Sequence, residues 1–306
     1  MKLKRSILLV ALATVASAAF AQNLFSNQSA SVNQVALFSS STALNGSAAP
    51  AGGFYSELQT DGAPAPNTIA NTSAGFSVHT IGPTGTNFRL ADDFAVTGPG
   101  WNVTGVKVYA YATGTALATN WLTGGNLRIW NGRPGESTSS VIFDSGALTS
   151  SQIGHSNTFT TNAGTGNHYR IFNSSPGTSA PGSTRSIREF TFNLNLNLGA
   201  GTYWIDYQLE RLVGTTYSTV FNPSTTHQGV RGVAGANALQ FNGTAWVSAI
   251  DAGIIVPANT TPAAGSADVA QEIPFVLTGQ PVPEPMTMAV LALGALAARR
   301  KKNKKA

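Results

Sequence analysis

From Phe88 onward the chain alternates apolar and polar residues with a period of two. That is the spacing of a strand, whose successive side chains point to opposite faces. In WNVTGVKVYAYAT, Val106, Val108, Ala110 and Ala112 alternate with Lys107, Tyr109 and Tyr111. In NLRIWNG, Leu127 and Ile129 share one face, and Arg128 and Trp130 the other. REFTFNLNLNL puts Phe190, Phe192, Leu194, Leu196 and Leu198 on one face, and Glu189, Thr191, Asn193, Asn195 and Asn197 on the other. This predicts a strand wet on one side. FRLADDFAV, SVIFDSG, HYRIFN, GAGTYWIDYQLE and EIPFVLTG predict further strands. Asn131-Gly132 and Arg133-Pro134-Gly135 supply turn chemistry. Asn242-Gly243 stands between two apolar runs and predicts a hairpin. Between the two ends no segment shows a helical period. The pattern predicts an all-β chain, an antiparallel β-sandwich of jelly-roll-like topology, as one domain over 88–280. Residues 22–87 are rich in Ser, Ala, Asn, Gly and Pro and predict a weakly structured N-terminal part, with short strands at 54–57 and 76–78.

The two ends read differently. Lys2, Lys4 and Arg5 precede an apolar run over 7–19, and Ala19-Phe20-Ala21 is a small-x-small step. Residues 1–21 therefore predict a secretory signal helix cleaved after Ala21. A retained membrane helix is the alternative, but the run is short of the roughly 20 residues that a span needs. At the other end, MTMAVLALGALAA (286–298) is uncharged and predicts a hydrophobic helix. Arg299, Arg300, Lys301, Lys302, Lys304 and Lys305 follow it. An apolar segment capped by bases stops translocation, because anionic headgroups hold the bases on the cytoplasmic side. Val282-Pro283-Glu284-Pro285 stands just before it. Neither proline donates a hydrogen bond and each restricts the residue before it, which makes a stiff, extended step for a processing enzyme to grip.

Val282, Pro283, Glu284 and Pro285, the short apolar helix and the terminal basic cluster occur in that order behind a signal peptide. Together, residues 282–306 resemble the PEP-CTERM sorting signal of Gram-negative bacteria. The resemblance implies recognition by an exosortase, a membrane-embedded cysteine transpeptidase. It implies transient anchoring in the inner membrane through the C-terminal helix, then cleavage near the motif. Transfer to the cell envelope, the outer surface or the extracellular matrix of a cell that makes exopolysaccharide and biofilm would follow. The logic parallels lipid-anchor signals whose hydrophobic tail is removed. A permanent single-pass anchor is the alternative. The stretch from Asp92-Asp93-Phe94 through Trp101 to IWNGRPG, with LGAGTYW at 198–204, resembles β-sandwich modules of exported PEP-CTERM proteins. That second resemblance bears on fold and not on function.

Charge sharpens this picture. The formal net charge is +5, but three of the 18 Lys and Arg lie in the signal peptide and six in the tail. The body carries nine Lys and Arg against twelve Asp and Glu, and its single lysine is Lys107. The high pI thus belongs to targeting segments, no basic stripe is left for phosphates, and a nucleic-acid partner is not expected. The absence of cysteine excludes disulfides, thiolate metal sites and a cysteine nucleophile. Stability must come from a hydrophobic core, which about 260 mature residues can build without staples.

Candidate chemistry is sparse. There is no H-E-x-x-H, P-loop or nucleophile elbow. His79, His155, His168 and His227 are scattered, with no second metal ligand at a diagnostic spacing. Asp206 and Glu210 share a strand face about 13 Å apart, too far for a glycosidase carboxylate pair. A secreted hydrolase would need a pocket joining a histidine or two carboxylates. Asp92-Asp93 is the only adjacent acidic pair. It belongs either to a structural calcium site or to a set of loop amides at the start of a strand, and no other cofactor is expected. Trp101, Trp121, Trp130, Trp204 and Trp246 are many amphipathic rings for so little charge. Trp204 is expected in the core. Tyr109 and Tyr111, opposite the valine face, are expected to face outward as a glycan-binding platform, unless a further layer covers them. The leading expectation is an exported, non-enzymatic surface or matrix protein with an exosortase as its processing partner. The alternative is a carbohydrate-binding module for exopolysaccharide.

Overall fold

The computed structural model describes residues 21–37, 39–43, 46–57, 74–80, 87–114, 120–171, 183–213, 216–217, 219–225, 232–251 and 268–284. Fourteen strands carry the architecture. They are β1 (Gln22–Ser26), β2 (Gly53–Glu57), β3 (Arg89–Val96), β4 (Trp101–Ala110), β5 (Gly124–Trp130), β6 (Val141–Asp144), β7 (Ile153–Ser156), β8 (Thr158–Thr161), β9 (Gly164–Ile171), β10 (Ser186–Leu198), β11 (Gly201–Glu210), β12 (Leu239–Phe241), β13 (Trp246–Ser248) and β14 (Phe275–Pro281). The first sheet runs β1-β14-β4-β10-β9-β2, with β7 also on β10 and β8 on β9. The second runs β13-β12-β3-β11-β5-β6. The only helical turn among the described residues is a 3-10 turn at Ser150–Gln152. No helix of the described residues is long and apolar enough to cross a membrane.

The two sheets enclose one core. Val106, Val108 and Ala110 of β4 and Phe190 and Phe192 of β10 come from the first sheet. They join Leu90 and Phe94 of β3, Leu127 and Ile129 of β5, and Ile205 and Tyr207 of β11 from the second. In β4, β5 and the first half of β10 the inward sets are those that the period-two pattern selects. Phe94 meets Phe275 edge-on across the gap, with ring centroids 6.3 Å apart. Each fully buried side chain of this size contributes about 1.5–3 kcal/mol over its exposed state. At Gly125 a Cβ would lie 2.7 Å from the Gln208 carbonyl oxygen on the neighbouring β11, and 3.1 and 3.3 Å from Ile153 Cδ1 and Phe192 Cζ of the first sheet, so glycine relieves crowding both within its sheet and across the gap.

The strand β10 changes character along its length. Phe190 and Phe192 are fully buried, whereas Leu194 and Leu196 are half-buried and Asn193, Asn195 and Asn197 are exposed. The change coincides with a register shift against β4 between Asn193 and Leu196. On the other side of β4, β14 shifts register between Thr278 and Gly279. Both irregularities begin opposite Gly105, which pairs with Asn193 and with Thr278. Bulges bend a strand and increase its twist. Here two such irregularities flank one glycine, and past them the Asn face of β10 is exposed while Leu198 at its end returns to the core.

The short strands expected at 54–57 and 76–78 are found at Gly53–Glu57 and Phe76–Ser77, and one expectation, a uniformly antiparallel sandwich, needs correction. The described part of 22–87 is built into the first sheet: β1 pairs with β14, and β2 pairs with β9. The β2–β9 pair is parallel, so the sheet is not uniformly antiparallel. A parallel pair needs a long crossover, and residues 58–163, about a third of the chain, lie between these two strands. The N-terminal segment then lies over the outer face of the first sheet, where Val35 pairs with Thr161. Val35, Leu37 and Phe159 pack there on Tyr109, Tyr111 and Ile187 as a second apolar cluster. Both faces of this sheet are therefore covered at its centre.

The expected signal helix through Phe20, with Ala19, and the expected sorting segment from Pro285 onward lie outside the described residues, and so does His227.

Candidate functional site

Asp92 lies on β3 between Leu90 and Phe94, two core residues, and is itself fully buried. The partner strand β12 covers only Arg89 to Ala91. Beyond that point the segment leading into β14 passes the edge of β3, and Ile273 N donates to Asp92 Oδ2 at 3.0 Å. Asp93 N donates to Asp92 Oδ1 at 2.9 Å. Asn27, just past β1, donates through Nδ2 to Asp92 Oδ2 at 2.5 Å, to Glu272 Oε1 at 3.2 Å and to the Ile273 carbonyl at 2.9 Å. Asn237 N donates to Glu272 Oε2 at 3.3 Å. The nearest carboxylate oxygens of Asp92, Asp93 and Glu272 all lie within 4.8 Å of one another.

Burial, and then the Glu272 charge, push the Asp92 carboxyl well above the usual carboxylate range. Burial also raises Glu272, against hydrogen bonds that hold it down. Two like charges this close in low dielectric do not both ionise freely, so a shared proton or a cation must relieve them. The donor set is hard oxygen, as calcium prefers, but three carboxylates supply at most six ligands, and calcium takes six to eight. N–H donors already engage both oxygens of Asp92 and both of Glu272. The arrangement fits a shared proton held among loop amides, with calcium as the competing occupant. The adjacent acidic pair was legible in the sequence. Glu272 was missed, because it stands at the head of EIPFVLTG, before the strand, where nothing local marks it as buried.

Tyr109 and Tyr111 do not face solvent. Tyr109 is 1 % and Tyr111 0 % exposed. Tyr109 Oη donates to Glu189 Oε2 at 2.9 Å, and Tyr111 Oη donates to the Ala74 carbonyl at 2.7 Å. Burial pushes the Tyr111 hydroxyl up to about 12. The outward platform expected of these two rings is absent because the N-terminal segment and the β8–β9 hairpin lie over them and Phe221 stacks on Tyr111, with ring centroids 5.7 Å apart.

Trp204 is also placed differently. It is buried, but on the outer face of the second sheet, with Ala91 and Leu239, and Trp130 and Trp246 pack against it. The Arg133 guanidinium lies 5.9 Å from its ring. On the same face Arg89 Nε meets Asp206 Oδ1 at 2.5 Å, and Trp130 Nε1 donates to Asp206 Oδ2 at 3.0 Å. Burial raises Asp206 in spite of the pull of Arg89. Asp206 is thus a buried structural anion, and Glu210 at the end of the strand is half-buried and apart from it.

The described histidines do not assemble into a catalytic group. His168 is fully buried between the rings of Phe54 and Phe159, with centroids 5.2 and 4.4 Å away. Its Nδ1 donates to the Gly166 carbonyl at 2.9 Å, and its Nε2 accepts from Thr161 Oγ1 at 3.0 Å. Burial lowers its pKa to about 4, which keeps the ring neutral. His155 Nε2 lies 3.0 Å from Arg188 Nη1, and burial and that guanidinium both hold it below the usual range. Arg188 and Arg211 flank Trp121, with guanidinium carbons 5.9 and 5.6 Å from its ring. His79 is buried against Phe88.

No protein-family description, curated protein or solved structure matches this chain.

Proposed function

We propose that this chain is an exported, non-enzymatic β-sandwich protein, sorted to the cell envelope or extracellular matrix of a Gram-negative bacterium through its C-terminal PEP-CTERM-like signal. One observation carries the reading. The last strand, β14, ends at Pro281, and the motif begins at the next residue. Val282 N donates to the Gly100 carbonyl at 2.8 Å, which closes the sheet, and Pro283 and Glu284 are then exposed. A cut beyond this point would remove the anchor and leave every sheet hydrogen bond intact. An exosortase-type enzyme is the processing partner on this reading, and the membrane is met only before processing.

The non-enzymatic part of the reading rests on the surroundings of the polar groups. His168 is enclosed by rings, Asp206 is neutralised by Arg89, and the Asp92 cluster is filled with amide donors. The jelly-roll topology belongs to the same proposal. Its support is nested pairing, β3 with β11 in one sheet and β4 with β10 in the other, so that the chain changes sheet from β3 to β4 and again from β10 to β11.

The test is to express the full chain in a Gram-negative host with and without an exosortase, then fractionate the cells and weigh the product. The expected product begins at Gln22, lacks the basic tail and is found at the surface only when the exosortase is present. Glu284→Ala should leave the tail attached. A tail retained in the wild type beside an active exosortase would overturn the sorting reading.

A further inference from the structure

The outer face of the first sheet carries a cavity of about 260 Å³ beside the covered tyrosines. Its floor is polar. Lys107 Nζ, from the body's only lysine, lies 3.0 Å from Glu189 Oε1, and Tyr109 Oη holds the other oxygen of that carboxylate. The pair is diagonal across β4 and β10, where Tyr109 stands directly opposite Glu189. Glu189 is mostly shielded and Lys107 about one-third exposed, at 12 % and 31 % of their side chains. The two charges cancel, so the floor offers directional hydrogen bonding without net charge.

The wall has the same character. Asn23, Asn33 and Gln34 line the cavity, and their side-chain amides make no hydrogen bond within the described residues. Their backbone is nonetheless fixed: Gln34 N donates to the Ser31 carbonyl at 3.1 Å, and Ser26 Oγ donates to the Gln34 carbonyl. Opposite them Thr160 and Thr165 share a hydrogen bond of 2.7 Å at the rim. Val35, Phe159 and Val276 supply a small apolar surface.

We propose that this cavity binds a single neutral pyranose. A sugar hydroxyl both donates and accepts, and a side-chain amide offers one group of each kind. Vicinal hydroxyls match an amide or a carboxylate with two adjacent hydrogen-bonding atoms. The C–H face of a ring suits the apolar wall. The cavity is smaller than the roughly 300–1,000 Å³ of sites for drug-sized ligands, which suits one ring and no more. An anionic sugar is disfavoured, because Glu189 already claims Lys107 and leaves no free positive charge. A free monosaccharide and the end of a polysaccharide present the same ring.

The experiment is a heteronuclear NMR titration of the full chain in detergent micelles with glucose, galactose, mannose and N-acetylglucosamine in turn. Glucuronate serves as the charged comparison, and a linear glucan separates a polymer end from a free ring. At least one neutral sugar should give saturable shifts centred on Asn33, Gln34, Lys107 and Glu189. Gln34→Ala should weaken that binding about tenfold, on the order of one lost hydrogen bond. Glu189→Gln should abolish it. If Glu189→Gln misfolds, Asn33→Ala at an exposed position carries the test, with an expected loss of several-fold. Three results would each overturn the proposal: no saturable shift with any neutral sugar, tighter binding of glucuronate than of all four, or binding that Gln34→Ala and Asn33→Ala leave unchanged.

Discussion

Asp92 and Glu272, far apart in sequence, share one donor: Asn27 Nδ2 lies 2.5 Å from Asp92 Oδ2 and 3.2 Å from Glu272 Oε1. The amide ties the end of β1 to the middle of β3 and to the approach to β14. It also holds two carboxyls whose pKa values are both raised, by burial first.

That pair sets a pH dependence. A carboxyl raised in the folded state binds a proton that the unfolded chain releases. Its contribution is full below about pH 4, the unfolded value, and is lost as pH rises through the raised folded value. In the presence of EDTA, the wild-type advantage over Asp92→Asn in thermal midpoint should therefore shrink from pH 4 upward. A constant or growing advantage would remove the shared-proton reading. Calcium that raises the wild-type midpoint at neutral pH, and leaves Asp92→Asn unmoved, would assign the cluster to a cation.

His168 should act with the opposite sign. Burial lowers it to about 4, so its neutral form contributes stability above about pH 6.5, and that is lost as pH falls toward the folded value. Urea midpoints of wild type and His168→Phe, compared between pH 7 and 4, should show the steeper acid loss in the wild type. Parallel curves would mean that the ring is not held neutral.

The Arg89–Asp206 pair on the outer face of the second sheet is nearly solvent-free, with side chains 9 % and 0 % exposed. Arg89→Met strands a buried carboxylate and should cost about 3–5 kcal/mol in denaturant titration. Arg89→Met with Asp206→Leu should recover much of that loss. A single variant that costs less than about 1 kcal/mol would show that water reaches the pair, as it reaches surface ion pairs.

The two halves of β10 should respond differently to truncation. Phe192→Ala empties a fully buried position and should cost about 3–5 kcal/mol. Asn195→Ala, past the register shift and exposed, should stay within about 0.5 kcal/mol. Gly125→Ala should cost about 1–3 kcal/mol, because its methyl meets the Gln208 carbonyl oxygen. Similar effects at Phe192 and Asn195 would contradict the change in burial along the strand.

The strands and their turns were legible in the sequence because their signals are local. Alternation in WNVTGVKVYAYAT, NLRIWNG and the first half of REFTFNLNLNL names the inward residues, and Asn242-Gly243 sits in the β12–β13 connection as expected, with Gly243 at a positive φ of 96°. The charged and apolar runs of the two ends are equally local.

What the sequence by itself determined, then, is which residues share a strand face. What only the tertiary structure decided is what lies on that face. Tyr109 and Tyr111 alternate correctly with the valines, but whether they meet water depends on where the N-terminal segment and the β8–β9 hairpin come to rest. Trp204 shows the same limit, because its strand has apolar residues on both faces and only the packing says which is the core. Asp92 became a three-carboxylate cluster because the chain brings Glu272 past the uncovered edge of β3. Periodicity is set by backbone geometry over a few residues, whereas burial is set by contacts between segments that one-dimensional order leaves far apart.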